Sequence, residues 1–279
     1  MAKNVLFYFT GTGNSLAVAK TVVAGLGDTL LVPMLGEHPV AQIDSQTERI
    51  GIVFPVHINA VPRVVINFLN KLPKLPSCYM FAIATHGGVP GFTGAYLNRH
   101  VKKRGLILDA YYEIPMINNT PKGIAPKMMM NLEWEKDLSP EQIDRVLRQS
   151  DALAQSVVES VLNKETTSLQ NVPTGKARVQ YFLMKLIWLI SEQSNHKLRF
   201  ILDECCNGCG VCEKVCTTGR IRIQEEKPEW IHENCSFCYA CFNFCPEQAI
   251  GVEHYTKRLG RYHHPEITAG EISRQTAAD

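Results

Sequence analysis

The cysteines of this chain fall into two arrays with the same spacing, and this repetition constrains the fold more than any other feature. Nine of the ten cysteines lie between Cys205 and Cys245, and the tenth is Cys78. The arrays are Cys206, Cys209, Cys212 and Cys216, followed by Cys235, Cys238, Cys241 and Cys245. This distribution is unlike that of a disulfide-stapled secreted domain, so it favours local metal or redox chemistry in a reducing compartment.

The spacing Cys-x2-Cys-x2-Cys-x3-Cys, present twice, predicts two 4Fe-4S clusters. Three closely spaced thiolates bind three irons of one cubane, while the fourth cysteine points away and binds the other cluster. We therefore assign one cluster to Cys206, Cys209, Cys212 and Cys245, and the other to Cys235, Cys238, Cys241 and Cys216. The alternative is a pair of zinc sites, but zinc ribbons use separated cysteine pairs, whereas here three cysteines fall within seven residues.

Two residues beside the arrays depart from a strict repeat. Cys205 lies one residue out of register and is interpreted as a bystander thiol. Thr217 follows the last cysteine of the first array, where Pro246 follows that of the second. This difference can alter packing or hydrogen bonding around Cys216 without removing a ligand.

The first part of the chain alternates short apolar runs with helical periodicity, which is typical of parallel βαβ units. Strands are predicted over residues 4–9, 29–33, 49–56, 79–85 and 107–114, and helices over residues 15–25, 60–72, 94–104 and 139–163. The last helix begins with Ser139 as N-cap and Pro140 at its first position. Five strands separated by helices predict an open, doubly wound α/β sheet.

A glycine-rich loop joins the first predicted strand to the first helix, where unpaired amides and the helix dipole favour a phosphate. Its residues are Thr10, Gly11, Thr12, Gly13, Asn14 and Ser15. Leu16 replaces the third glycine of a dinucleotide fingerprint, and no Gly-Lys-Ser/Thr follows as in a Walker loop. Hydroxyl and amide donors without Lys or Arg suit a monophosphate. The alternative is an ordinary strand-to-helix turn.

This loop resembles the FMN-phosphate loop of flavodoxins, and the whole chain is similar to flavodoxin-ferredoxin fusion proteins of anaerobic metabolism. The resemblance covers residues 4–115 and 203–252. It implies a flavodoxin-like FMN domain with a five-stranded parallel sheet over residues 1–165, followed by a linker with an amphipathic helix over residues 166–200. A small α+β ferredoxin-like domain with two 4Fe-4S clusters would then occupy residues 201–255, and a tail residues 256–279.

In flavodoxin-like sheets the ligand lies at the carboxyl ends of the first and third strands. The loop after the third strand would face the isoalloxazine, and the loop after the fourth would form the other wall. The first comprises Pro55, Val56, His57, Ile58 and Asn59, and the second Thr85, His86, Gly87 and Gly88. His57 stands where many flavodoxins stack an aromatic residue. It is a candidate to donate a proton or hydrogen bond, and the alternative is a packing or solvent-facing histidine.

Three further segments carry weaker expectations. Residues 118–137 are polar and contain three consecutive methionines, so they either cover the active edge of the sheet or form a surface excursion. The helix predicted over residues 178–193 is expected to pack its apolar face on one of the domains. The basic tail from His254 onward either docks an acidic partner or is a solvated surface segment.

Charge and hydropathy limit the possible partners. A net charge of +2 gives no support for a nucleic-acid partner. The apolar run over residues 181–190 is too short to span a bilayer, and the N-terminus lacks the organisation of a signal peptide. We therefore expect a cytoplasmic protein with no membrane span.

The leading hypothesis is an electron-transfer iron–sulfur flavoprotein that relays electrons between two 4Fe-4S clusters and FMN, with a redox protein as external donor or acceptor. One alternative is an FMN-dependent reductase in which the clusters supply electrons for reduction of a small organic substrate. Another is a redox sensor or assembly factor. An apolar pocket above the flavin would favour the reductase, whereas a flavin site that stays empty while the clusters are intact would favour the sensor.

Overall fold

The computed structural model describes residues 2–36, 38–57, 59–74, 78–121, 138–169, 175, 178–183, 186, 200–252 and 261–276. Within these ranges the chain forms one five-stranded sheet and two small two-stranded sheets. No helix in these ranges has the length and apolar character needed to cross a membrane.

The large sheet is parallel throughout. Its strands are β1 (Asn4–Tyr8), β2 (Thr29–Pro33), β3 (Arg49–Pro55), β4 (Tyr79–His86) and β5 (Ala110–Pro115), in the spatial order β2-β1-β3-β4-β5. Strands buried on both faces read as continuous apolar runs, and β1 is buried along its whole length. The order is that of a flavodoxin-like sheet, which confirms the predicted fold class.

The helices that accompany this sheet among the described residues are α1 (Asn14–Leu26), α2 (Arg63–Lys71), α3 (Thr93–Lys103) and α4 (Pro140–Leu162). The cap predicted for α4 is confirmed, because the Ser139 side chain accepts a hydrogen bond from the Gln142 amide at 3.2 Å. α1 and α4 pack closely, and a Cβ added to Gly25 would lie 2.7 Å from a methyl carbon of Val158. This contact fixes the carboxyl end of α1 against α4.

Two element boundaries differ from the prediction for local reasons. β5 begins at Ala110 instead of residue 107 because the Asp109 carboxylate accepts the Met80 amide at 2.8 Å just before the strand ladder starts. α2 begins at Arg63 instead of residue 60. His57 and Ala60 exchange two backbone hydrogen bonds, at 3.1 and 2.9 Å, and so form a tight turn before the helix.

The cysteine arrays lie in a small α+β unit. β6 (Phe200–Leu202) pairs antiparallel with β9 (Ile250–Val252), and β7 (Ile221–Gln224) pairs antiparallel with β8 (Lys227–Trp230). Each array contains a one-turn helix, Val211–Lys214 or Ala240–Asn243, preceded by a residue in the left-handed region. Those residues are Gly210 and Tyr239, each directly after the second cysteine of its array. The duplication in the sequence is therefore also present in the backbone.

The C-terminal segment, residues 261–276, packs against the loop that follows β1. Tyr262, His264 and Gln275 are buried, and Ile267 and Ile272 join the hydrophobic core. The expectation of a solvated tail is therefore wrong for this segment. Its apolar side chains cover the loop, and a capping box between Thr268 and Glu271 fixes its short helix.

The helix expected between the two domains is described only over residues 178–183 and 186, and the rest of its predicted range lies outside the described residues. Tyr181 is buried against Phe92 and Tyr96, with ring centroids 5.5 and 4.7 Å apart. Other apolar residues of this helix are exposed: Val179, Phe182, Leu183 and Leu186. The expected packing on a domain therefore holds for Tyr181 but not for these four residues.

We expect Gln275→Met to destabilise the protein by about 1–3 kcal/mol, because it leaves the buried Thr10 amide without its acceptor. The Gln275 side chain accepts from that amide at 2.9 Å and donates to the Thr10 carbonyl at 3.1 Å. The thermal unfolding midpoint of the anaerobically purified protein measures the effect. Thr276→Val is the control, because the Thr276 hydroxyl is exposed and we expect a change within about 0.5 kcal/mol. Equal midpoints for both variants would contradict the prediction.

Candidate functional site

The glycine-rich loop lies at the carboxyl end of β1 and is almost completely buried. The side chains of Thr10, Thr12, Asn14 and Ser15 are each exposed by 7% or less. Gly13 adopts a left-handed conformation with φ of 99°, which lets the chain turn from the loop into α1. The loop is therefore a rigid cradle at the amino end of a helix.

The backbone amides of this cradle are mostly unpaired. The Gly13 amide donates to the Thr10 hydroxyl at 3.1 Å. Within the described ranges, no protein acceptor faces the amides of Gly11, Thr12, Asn14 and Ser15. Buried, unpaired amides at a helix amino end provide donors and a favourable dipole for an anion. The donor set therefore fits the monophosphate of a flavin.

Side-chain contacts connect this cradle to β4 and to the residues that follow β5. The Ser15 and Thr85 hydroxyls lie 2.7 Å apart, and the Asn14 side chain donates to the Ile117 carbonyl at 3.0 Å. Asn119 donates a hydrogen bond to the Thr12 hydroxyl. The start of segment 118–137 is thus held against the cradle, whereas residues 122–137 lie outside the described residues.

The loop after β4 approaches the same edge. A Cβ on Gly87 would lie 2.6 Å from the Cβ of Asn118, so only glycine fits at this position. His86 is only partly buried, with its ring nitrogen Nδ1 2.5 Å from the Gly88 carbonyl oxygen. These contacts bring the predicted second wall of the flavin site beside the cradle.

The loop after β3 places His57 between the sheet and the second cysteine array. The ring lies edge-on to Phe9, with centroids 6.0 Å apart. Burial lowers the pKa of His57 to about 4, and a hydrogen bond with the Ser236 backbone partly opposes this effect. His57 is therefore neutral near pH 7.

The rest of this loop is ordered by backbone contacts. Val56 donates its amide to the Thr85 carbonyl at 2.8 Å, which joins it to the loop after β4, and Pro55 ends β3 directly before it. Asn59 is exposed and left-handed, with φ of 56°. Ile58 lies outside the described residues.

The structure brings the first predicted set of four cysteines around one cavity. Cys206, Cys209, Cys212 and Cys245 all line it. The Ala249 amide donates to the Cys245 sulfur at 3.3 Å.

The second predicted set is gathered in a more buried environment. Burial raises the pKa of the Cys241 thiol, and the neighbouring Cys238, Cys235 and Cys216 raise it further, which indicates that these four groups lie close together. The Arg220 amide donates to the Cys216 sulfur at 3.2 Å. This contact is the counterpart of the amide at Ala249, since each donor lies four residues after the last cysteine of its array.

Burial also makes several of these thiols weaker acids than an ordinary cysteine thiol. It raises the pKa of Cys212 and of Cys235 to about 11 each. Metal binding must therefore displace protons from these groups. Within the described ranges, no three His, Cys, Asp or Glu side chains are grouped as ligands of a single metal ion.

Sequence reasoning did not identify how Thr217 contacts the second cysteine set. Its hydroxyl lies 2.5 Å from the Ser236 hydroxyl and 3.5 Å from the Cys238 sulfur. The only signal in the sequence was the missing proline after Cys216. Thr217 therefore brings a hydrogen-bonding group of the first array to a sulfur of the second.

The cradle and the second cysteine array are in direct contact. A Cβ on Gly11 would lie 2.9 Å from the Cβ of Cys238 and closer still to its carbonyl oxygen. The Thr12 carbonyl accepts the His264 amide at 2.8 Å, and the Tyr262 hydroxyl donates to the Asn14 side chain at 3.0 Å. The C-terminal segment thus seals the same junction. Its sequence signals, the capping box and the buried aliphatic residues, were overlooked.

Comparison with known proteins identifies the nature of the cysteine-rich unit. Residues 205–249 match the family model described as a 4Fe-4S dicluster domain. A 60-residue stretch is 37% identical to one of the subunits of the ion-translocating oxidoreductase complex of Methanosarcina acetivorans, and it covers 22% of this chain and 23% of that relative. The chain therefore spans less than a quarter of the length of this curated relative.

Two solved structures are similar to the sheet domain at low identity. A flavodoxin from the domain Archaea shares 12% identity over 57% of this chain and 98% of its own, with a TM-score of 0.35. An FMN-dependent NADH-azoreductase from Bacillus anthracis shares 11% identity over 58% of this chain and 99% of its own, with a TM-score of 0.38. These scores are too low to support the fold, which rests on the observed strand order. The C-terminal part of the chain is an iron–sulfur domain of the 4Fe-4S dicluster type.

Proposed function

We propose that this protein is an electron-transfer flavoprotein in which two 4Fe-4S clusters exchange electrons with FMN. The observation that carries the proposal is the contact between Gly11 and Cys238, which joins the phosphate cradle to a cluster ligand. Two redox centres placed on either side of such a contact can exchange electrons without a diffusing carrier. The flavin, when bound, would supply a centre that holds one or two electrons.

The residues that would hold FMN come from three loops at one edge of the sheet. The cradle from Thr10 to Ser15 would bind the phosphate through backbone amides and hydroxyls. The loop from Pro55 to Asn59 and the loop from Thr85 to Gly88 would flank the isoalloxazine, as in other flavodoxin-like sheets. The cradle has no basic side chain, so the dipole of α1 and the backbone amides would offset the negative charge of the phosphate.

The residues that would hold the clusters are the two predicted sets. Cys206, Cys209, Cys212 and Cys245 would bind one cluster, and Cys235, Cys238, Cys241 and Cys216 the other. The cavity lined by the first set supports this crossed arrangement, because Cys245 belongs to the other array in the sequence. The external partner in this proposal is a redox protein that acts as donor or acceptor.

An FMN-dependent reductase of a small organic substrate is the second candidate. Its support is the position of Asn119, which donates a hydrogen bond to Thr12 and accepts one from Asn243 at 3.1 Å. Asn119 would then lie at the edge of a substrate site beside the flavin. A rate of flavin oxidation that saturates with a small organic acceptor would favour this candidate over the relay.

Cofactor analysis of anaerobically purified protein tests the proposal. We expect about eight irons, about eight sulfides and one FMN per chain, as two cubanes and one flavin require. Cys205→Ser is a control that should keep all the iron, because Cys205 lies outside both sets. Cys241→Ser should lower the content or stability of one cluster. Zinc in place of iron, or clusters without flavin, would refute the relay.

His57 is predicted to act as a neutral hydrogen-bonding residue. Burial lowers the pKa of His57 from 6.5 to about 4, so the unfolded chain binds this proton before the folded protein does. The free energy of unfolding therefore falls as the pH drops from about 6.5 to about 4. We therefore expect parallel pH profiles of flavin reduction for the parent and His57→Gln between about pH 5 and 8. Stopped-flow spectroscopy measures these profiles. An inflection near pH 6.5 that is present only in the parent would indicate a proton-donating His57 instead.

Thr217 is predicted to raise the reduction potential of the cluster that Cys238 binds, because a hydrogen bond to a ligand sulfur favours the more negative, reduced cluster. Removing a hydrogen bond worth about 1 kcal/mol corresponds to about 40 mV for one electron. Thr217→Val should therefore lower that potential by about this amount in an EPR-monitored titration. Thr276→Val is the control, since the exposed Thr276 hydroxyl donates to the Ser273 carbonyl at 3.0 Å instead of contacting a cysteine sulfur. Equal shifts in both variants would contradict the prediction.

A further inference from the structure

The two cysteine sets have the same spacing but different surroundings. Cys238 is 8% exposed, and its array lies against the cradle. Cys209, at the position in the first array that Cys238 occupies in the second, is exposed. This contrast gives the two clusters different access to solvent and to the flavin loops.

The contacts of the second array lead to the sheet domain. The Ser236 backbone lies beside His57, Cys238 abuts Gly11, and Asn243 donates to the Asn119 carbonyl. All three contacts reach loops at the carboxyl edge of the sheet. A cluster held by this array would therefore sit next to the proposed flavin site.

The contacts of the first set stay within the small domain. Every residue that lines its cavity belongs to the range 206–250, so none comes from the sheet domain. The rim of this cavity includes the exposed residues Asn207, Cys209, Pro246 and Glu247. A cluster held there is open to an external molecule and is separated from the cradle by the second array.

The two sets also meet each other. Cys212 and Cys241 lie on the one-turn helices Val211–Lys214 and Ala240–Asn243, and these two helices pack together. An electron can therefore pass from one set to the other within the small domain.

We infer that the clusters work in a fixed order. The cluster held by Cys235, Cys238, Cys241 and Cys216 is the inner cluster and exchanges electrons with the flavin. The cluster held by Cys206, Cys209, Cys212 and Cys245 is the outer cluster and exchanges electrons with the external redox protein. This inference rests on the proposed function and adds to it the point at which the partner engages.

Each transfer in this order moves one electron. A protein donor is oxidised by one electron as the outer cluster is reduced by one, and the outer cluster is reoxidised as the inner cluster is reduced. Two such transfers add two electrons to the flavin, which takes up its protons from solvent. With an oxidised protein acceptor the same order runs in reverse.

A matched pair of substitutions tests the order, because Cys209→Ser and Cys238→Ser make the same change at the second cysteine of each array. A reduced two-cluster ferredoxin serves as donor, and stopped-flow and EPR spectra follow clusters and flavin separately. We expect Cys209→Ser to slow the first, donor-dependent phase by about tenfold or more. Cys238→Ser should leave that phase within about twofold and slow the later reduction of the flavin by about tenfold. The opposite pattern, or equal effects on both phases, would overturn the order.

Gly11→Ala provides a second test that changes no cluster ligand. The added Cβ displaces Cys238, so we expect an altered EPR signal of the inner cluster and slower flavin reduction per bound FMN. Gly36→Ala is the control, because the nearest atom to its Cβ is the Pro33 carbonyl oxygen at 3.7 Å. An effect of Gly11→Ala on the donor-dependent phase alone would contradict the inference.

Loss of iron to a chelator gives a readout that does not involve the flavin. With a ferrous chelator, we expect the outer cluster to lose iron first in the parent protein, identified by the signal that Cys209→Ser alters. If the protein contains no FMN, the relay fails, but this order of iron loss still tests the cluster arrangement. Loss from the inner cluster first would overturn the arrangement even where FMN is present.

Discussion

The close contact between Gly11 and Cys238 is the constraint on which the rest of the arrangement depends. Two backbone turns, one after β1 and one inside the second cysteine array, approach more closely than any side chain at position 11 would allow. Such an approach is maintained only if both turns are rigid. The parallel sheet and α1 fix the first turn. The second is fixed by its one-turn helix and, when iron is bound, by its cluster ligands.

Burial at this junction also determines its electrostatics. The cradle contributes amides without acceptors, His57 is neutral, and the nearby thiols of Cys235 and Cys241 have raised pKa values. Unpaired buried amides and protonated thiols are unfavourable when left without partners. An anion on the amides and metal on the sulfurs would remove both costs, so the fold and the proposed cofactors would stabilise each other at one place.

Sequence patterns predicted the features that depend on neighbours along the chain. The βαβ alternation gave all five strands of the large sheet, the Ser139 cap placed α4, and the cysteine spacing predicted the dicluster domain. Features that depend on distant residues were missed. Periodicity shows that Ile267 and Ile272 belong to an apolar face of the C-terminal segment, but it does not show which surface that face covers. In the fold they cover a loop more than 250 residues earlier in the chain, where Gln275 completes the hydrogen bonds of Thr10.

The two cysteine arrays illustrate the same limit most clearly. Their spacing is identical, each has an amide donating to its last sulfur, and each turns into its helix through a left-handed residue. On that evidence alone the two clusters would be equivalent. The difference comes from what packs on them, because the second array is buried under the cradle and receives Thr217, whereas the first keeps Cys209 at the surface. Since hydrogen bonds to sulfur and solvent exposure set cluster potentials, the asymmetry between the two sets arises from tertiary packing and not from the repeat itself.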